Sequence, residues 1–195
     1  MSQKLMLVDA DGVLFDWEWG FDLFMKSQGY DVRPGGEDEY LMHLRYTCDD
    51  ATARKKIREF NESASIAFLP PLRDAVEYVR RLYDEGWQFH CITSLSSLPS
   101  AYDLRRRALD REFGEGVIGE LTCLPTGADK DQALEPFKDS RLWWFEDKPE
   151  NADVGHQMGL RSILMKHGHN TDHECPYPVV NNWKEAYAII TNASH

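Results

Sequence analysis

The run Asp9-Ala10-Asp11-Gly12-Val13 places two carboxylates on alternate residues just after an apolar stretch. At a strand end, alternate residues can bring both carboxylates to one small volume. Two like charges that close call for a cation, and Mg²⁺ is the usual oxygen-seeking choice. Asp and Gly are also ordinary turn residues, so the pair gains meaning only from its company. Thr93-Ser94 offers a hydroxyl and backbone N–H groups that can hold phosphate oxygens without net charge, although an ST-turn would read the same. Glu146-Asp147 opens the stretch Lys148-Pro149-Glu150-Asn151. Asp147 can complete a metal site and Asn151 can orient a metal-bound water; the competing reading is an acidic helix start favoured by the helix dipole. Lys130 stands at an expected helix start, where the dipole disfavours a cation, which points to a role for it beside the alternative of a solvated lysine.

These residues need a scaffold that brings them together, and the hydropathy pattern supplies one. Residues 4–8 form a short apolar run that stops at Asp9, the mark of a buried parallel strand. Further strands are expected at 87–92, 117–124, 142–145 and 162–165, with helices at 72–85, 99–113, 129–137, 149–159 and 183–191 between and after them. Strands alternating with helices imply an α/β fold with a doubly wound parallel sheet, whose site lies at the carboxyl ends of the strands. Asp9, Thr93 and Asp147 each follow a strand directly. Between the first two strands the alternation is absent. Helices are expected at about 19–28, 38–46 and 50–65, broken by Pro34-Gly35-Gly36 and closed by Pro70-Pro71, so 18–70 reads as a small helical cap inserted into a core of 1–17 and 71–195.

With 195 residues, 42% of them hydrophobic, the chain is long enough for one globular α/β domain plus such an insertion. Its formal net charge of −11 argues against a basic groove gripping long nucleic acid. No run reaches the length of a membrane span, and 5–8 is too short for a secretory h-region. Cys48, Cys91, Cys123 and Cys175 match no zinc or redox spacing, and a reducing cytoplasm is the expected setting.

In this order and placement the motifs resemble those of the haloacid dehalogenase-like phosphatase superfamily over essentially the whole chain. Asp9 to Val13 is similar to its first motif, Thr93 to its second, Lys130 to its third, and Asp147 with Asn151 to its fourth. The fourth motif of the family often ends in aspartate, where this chain has Asn151. A closer resemblance is to the 5′(3′)-deoxyribonucleotidase branch, carried by DADGVLFDW, the position of the helical insertion, Thr93-Ser94, Glu146-Asp147-Lys148-Pro149, and Asn181, Trp183 and Glu185 in the tail. In that branch the third-motif cation lies on the helix after the second strand, where this chain has Arg105-Arg106-Arg107; the compact charge of Lys130 is preferred for the role.

The resemblance implies a Mg²⁺-dependent phosphomonoesterase. Asp9 is implied as nucleophile forming an aspartyl-phosphate and Asp11 as acid and base. The metal is implied at the Asp9 side chain, the Asp11 backbone carbonyl and Asp147, and the phosphate on Thr93, the Ser94 N–H and Lys130. A nucleoside monophosphate is the first expectation for substrate, another small phosphate ester such as a sugar phosphate the alternative, and a silent nucleotide- or partner-binding domain the reading from another class. A homodimer stays open. Trp17, Trp19 and Phe21 cannot all share one helix face; Trp17 and Phe21 are the candidates for stacking on a base, and Trp143 and Trp144 are expected in the core. His167, His169, His173 and Cys175 fit no standard zinc spacing and read as a solvated loop near the rim of the site.

Overall fold

The computed structural model describes residues 4–193. Six strands form one parallel sheet: β1 (Leu5–Val8), β2 (Gln88–Thr93), β3 (Ile118–Cys123), β4 (Trp143–Glu146), β5 (Arg161–Met165) and β6 (Val179–Val180). Their spatial order is β3-β2-β1-β4-β5-β6. The chain leaves β1 towards β2 and β3, then returns to its other side at β4. The switch point therefore lies between β1 and β4, and this is where open α/β sheets place their ligands. Val8 pairs in register with Cys91 and with Phe145, which brings the residues after all three strands to one edge.

The strands read as apolar runs because helices cover both faces. Met6 and Val8 point into the larger core, with residues of α4 (Ala75–Asp84), α5 (Pro99–Phe113) and α8 (Trp183–Asn192). Leu7 points the other way, into a smaller cluster with Ile92, Leu134, Trp144 and Leu160, under α6 (Asp131–Leu134) and α7 (Pro149–Gln157). Trp143 and Trp144 are both buried core residues on opposite faces. β6 is an addition to the strands expected from the sequence. It is only two residues long and too short to show a period.

The residues between β1 and α4 add no strand to the sheet. They form α1 (Trp17–Ser27), α2 (Met42–Arg45), α3 (Asp50–Asn61) and a 3-10 turn at Ala64–Phe68. Chain entry and exit run side by side: the Asp16 N–H donates to Pro70 C=O (2.9 Å) and the Leu72 N–H to Leu14 C=O (2.8 Å). Asp16 also caps α1, its carboxylate accepting from the Trp19 N–H at 3.1 Å. The helix expected over 38–46 is reduced to one turn. Arg45 is buried, and its guanidinium binds Glu18 and Asp22 and reaches back to the Glu37 carbonyl, so the chain before Met42 turns rather than winds. The helix expected over 50–65 ends at Asn61, and Ser63 caps the following 3-10 turn.

Candidate active site

Asp9 follows the central strand and is buried. Its Oδ1 takes the Ala10 N–H (2.7 Å) and lies 2.8 Å from Lys130 Nζ. Among the described residues, Oδ2 has no hydrogen bond. One carboxylate oxygen is thus fixed and the other carries no such bond; Asp9 and Asp11 both line a cavity of about 410 Å³. Lys130 sits at the N-cap of the short α6, where the helix dipole works against it. The compensation is local: Nζ binds Glu146 Oε2 at 2.8 Å as well as Asp9. Burial alone would lower the lysine's pKa, and the two carboxylates more than offset this and raise it.

Glu146 and Asp147 close β4. Carboxylate oxygens of Asp9, Glu146 and Asp147 lie within 4.8 Å of one another, a set suited to a hard divalent cation. One lysine cannot balance three carboxylates, two of them buried and the third partly so. Burial and the charge of Asp9 push Glu146 up to about 7, against the pull of Lys130. Burial, Glu146 and Asp9 raise Asp147 well above the carboxylate range. A cation would relieve this surplus charge, so the residues present fit one. Gly12 makes the approach of the two loops feasible: its φ is +76°, and a Cβ there would fall on the Asp147 carboxylate.

Asp11 lies on the other side of the acid cluster. Its Oδ1 accepts from Arg105 Nη2 at 2.6 Å, so its side chain does not join the three-carboxylate group, in which Glu146 stands instead. The metal contact expected of Asp11 is its backbone carbonyl, which this pairing leaves open. Burial raises the Asp11 pKa and Arg105 opposes the rise. Asn151 lines the cavity as well, and its Nδ2 donates to Glu146 Oε1 (3.2 Å), which holds that carboxylate.

Thr93 and Ser94 line the cavity after β2, and Ser94 Oγ donates to Ala128 C=O at 2.7 Å. Trp17 lines it too, but stacks on Phe21 (4.6 Å, 17°) and donates to Asn61 Oδ1 at 2.9 Å. Phe21 is 1% exposed among Trp17, Phe24, Tyr46 and Phe60. It belongs to the core of the insertion and cannot stack on a substrate. Trp19 faces outward, half exposed.

The loop after β5 does more than the sequence indicated. His167 and His169 line the cavity and are not solvated: His167 Nε2 donates to Gly12 C=O (2.7 Å), and Asn170 Nδ2 donates to Asp147 C=O (2.8 Å). Burial lowers the His167 pKa to about 4, so its ring is neutral near pH 7. His173 and Cys175 lie apart, around Tyr177 and Asp153, and among the described residues the only three-ligand group is the acidic one. No spacing rule flags His167 or Asn170, because their partners are backbone carbonyls far away in sequence.

No family model matches the chain. A curated relative, an uncharacterised 32.4 kDa protein of Enterobacteria phage T4, is 22% identical over 155 residues, which are 76% of this chain and 55% of that protein. The chain spans about half the length of the curated relative it matches. Among solved structures, a haloacid dehalogenase-like family hydrolase from Streptococcus pneumoniae superposes with a TM-score of 0.67 at 14% identity, covering 97% of this chain and 99% of that one. The HAD-hydrolase YfnB from Bacillus subtilis, bound to magnesium, gives 0.63 at 15% identity over 98% and 100%. CbbY from Rhodobacter sphaeroides, in complex with xylulose-1,5-bisphosphate, gives 0.58 at 15% identity over 94% and 96%. The chain has the fold of the haloacid dehalogenase-like hydrolases.

Proposed function

We propose that the protein is a Mg²⁺-dependent phosphomonoesterase that works through an aspartyl-phosphate on Asp9. The observation that carries this reading is the one-sided anchoring of Asp9. Lys130 and the Ala10 N–H hold Oδ1, Asp9 lines the cavity at the switch point of the sheet, and Oδ2 has no hydrogen bond among the described residues. That oxygen attacks phosphorus in line and the ester P–O bond breaks. Asp11 protonates the departing oxygen, then takes a proton from the water that releases inorganic phosphate and restores Asp9. Thr93, the Ser94 N–H and Lys130 receive the phosphate oxygens. Mg²⁺, held by Asp9, Asp147 and the Asp11 carbonyl, supplies charge neutralisation and orientation when bound.

For substrate, a small phosphorylated sugar or similar compact phosphate ester fits better than a nucleotide. Phe21 is buried and one face of Trp17 is taken, so the aromatic pair expected to stack on a base offers it at most one face. Arg58 and Lys148 line the cavity with no ion-pair partner among the described residues and can meet further oxyanions. The complex of CbbY with a sugar bisphosphate agrees with this choice. The second reading, a (deoxy)nucleoside monophosphate, rests on Trp17, which still borders the cavity.

Sugar phosphates, nucleoside monophosphates and p-nitrophenyl phosphate, assayed with Mg²⁺, decide between them. A sugar phosphate is expected to give the highest kcat/KM, and Asp9→Asn is expected to abolish every activity while the circular dichroism stays native. A nucleotide turned over best would reverse the substrate choice, and an active Asp9→Asn would end the mechanism.

A further inference from the structure

Arg105 is a buried charge with unmet donors. It is 0% exposed on α5, with Phe15 under its guanidinium at 5.2 Å. Its Nε and Nη1 have no hydrogen-bond partner, and its one ion pair among the described residues is with Asp11. A desolvated guanidinium with two unmet donors is costly, and mutual attraction to a single carboxylate repays this only in part. An apolar side chain of similar length would fill the place between Phe15 and the sheet at lower cost. The cation is therefore hard to explain as packing.

The pair also has a direction. Arg105 binds only Oδ1 of Asp11, and the Asp11 side chain keeps 22% of its surface, on the cavity side. Resting on the phosphatase reading above, we propose that Arg105 is the positioning residue for the acid–base carboxylate. It clamps Oδ1 so that Oδ2 is the oxygen that gives its proton to the ester oxygen as the P–O bond breaks, and that takes a proton from the attacking water in the second step. Lys130 then serves Asp9 and Arg105 serves Asp11, one buried cation for each carboxylate.

A positioning role predicts an effect that depends on the leaving group, because an alkoxide needs the proton and a dinitrophenolate does not. The readout is kcat/KM, which reports the first chemical step, for an alkyl phosphate and for 2,4-dinitrophenyl phosphate. Arg105→Met fills the volume without a buried charge, and Arg105→Lys keeps the charge. Arg105→Met is expected to lower the ratio of alkyl to dinitrophenyl kcat/KM at least 10-fold, and Arg105→Lys to restore part of it. In an Asp11→Asn background, Arg105→Met should change the ratio less than 2-fold. Equal losses for both esters, an unchanged ratio, or the same loss in the Asp11→Asn background would overturn the proposal. Asp9→Asn serves as the separate control: if it retains activity, the phosphatase mechanism beneath the proposal fails, whereas an inactive Asp9→Asn with an unchanged Arg105→Met ratio sinks the positioning role alone.

Discussion

Each of the two key aspartates is held by one oxygen, Asp9 by Lys130 and the Ala10 N–H, Asp11 by Arg105. On the proposed mechanism, one oxygen of each carboxylate would then be oriented and the other left for chemistry. Asp9 also joins Glu146 and Asp147 in a concentration of negative charge that burial makes unfavourable. Asp147→Asn removes one of those charges and keeps the shape. In chelator it is expected to raise the melting point, because burial, Glu146 and Asp9 make the ionised Asp147 carboxylate unfavourable in the folded state. With Mg²⁺ the same variant should lose about 100-fold or more in kcat, since the cation loses a ligand. Thermal melts with and without Mg²⁺ check this, and a lower melting point in chelator would show that Asp147 is not in surplus. The candidate site was largely legible as a group: Asp9, Asp11, Thr93 and Asp147 by their types and strand-end positions, Lys130 by its helix start, and the fold brings all five to one cavity. Arg105 stood out only as one of three consecutive arginines at the place where the resembled branch carries its third-motif cation. Nothing in Arg105-Arg106-Arg107 says that the first is buried against Asp11 while Arg106 pairs with Asp110 on the same helix.

At the scale of elements, the strand-to-loop transitions were readable and the loop-to-loop contacts were not. A strand announces itself by an apolar run and stops at the first polar residue. A loop hydrogen-bonded to a distant backbone carbonyl leaves no periodic mark. The loop after β5 is such a case, since it ties to Gly12 through His167 and to the Asp147 carbonyl through Asn170. The internal structure of the insertion was hidden for a related reason. A helical period over 38–46 competes with the buried Arg45 fork, and the tertiary contact wins. The His167 tie has a pH signature. Its folded pKa is near 4 against an ordinary 6.5, so the unfolded chain binds the proton first. The stability that the neutral ring contributes is complete above about pH 6.5 and is lost as pH falls towards 4. His167→Gln can still donate to Gly12 but does not titrate. The stability advantage of the wild type over this variant is expected to shrink by a few kcal/mol at most between those pH values. Denaturant titrations of both proteins at several pH values measure it, and a difference that is flat with pH would contradict the neutral, buried ring.

For the whole molecule, the sheet order explains why one chain can gather these groups at all. β1 is flanked by β2 and β4, so the residues after three strands meet at one edge, and the insertion between β1 and α4 supplies further cavity-lining residues such as Trp17, Tyr40 and Arg58. A net charge of −11 does not prevent anion binding there, because Lys130, Arg58 and Lys148 lie at the cavity itself. Among the described residues no helix is long and apolar enough to cross a membrane. The doubly wound architecture followed from the alternation of strands and helices, whereas the substrate class did not, since it depends on which aromatic faces are free after folding. The central claim, a phosphoryl group carried on Asp9, can be observed directly. The protein is mixed with a turned-over phosphate ester and Mg²⁺, quenched in acid within the first turnover, digested, and read by tandem mass spectrometry. The account predicts one added phosphoryl group on the peptide containing Asp9, localised to that residue and absent from Asp9→Asn. A phosphoryl group found on another side chain, or ester hydrolysis at full rate with none on Asp9, would contradict it.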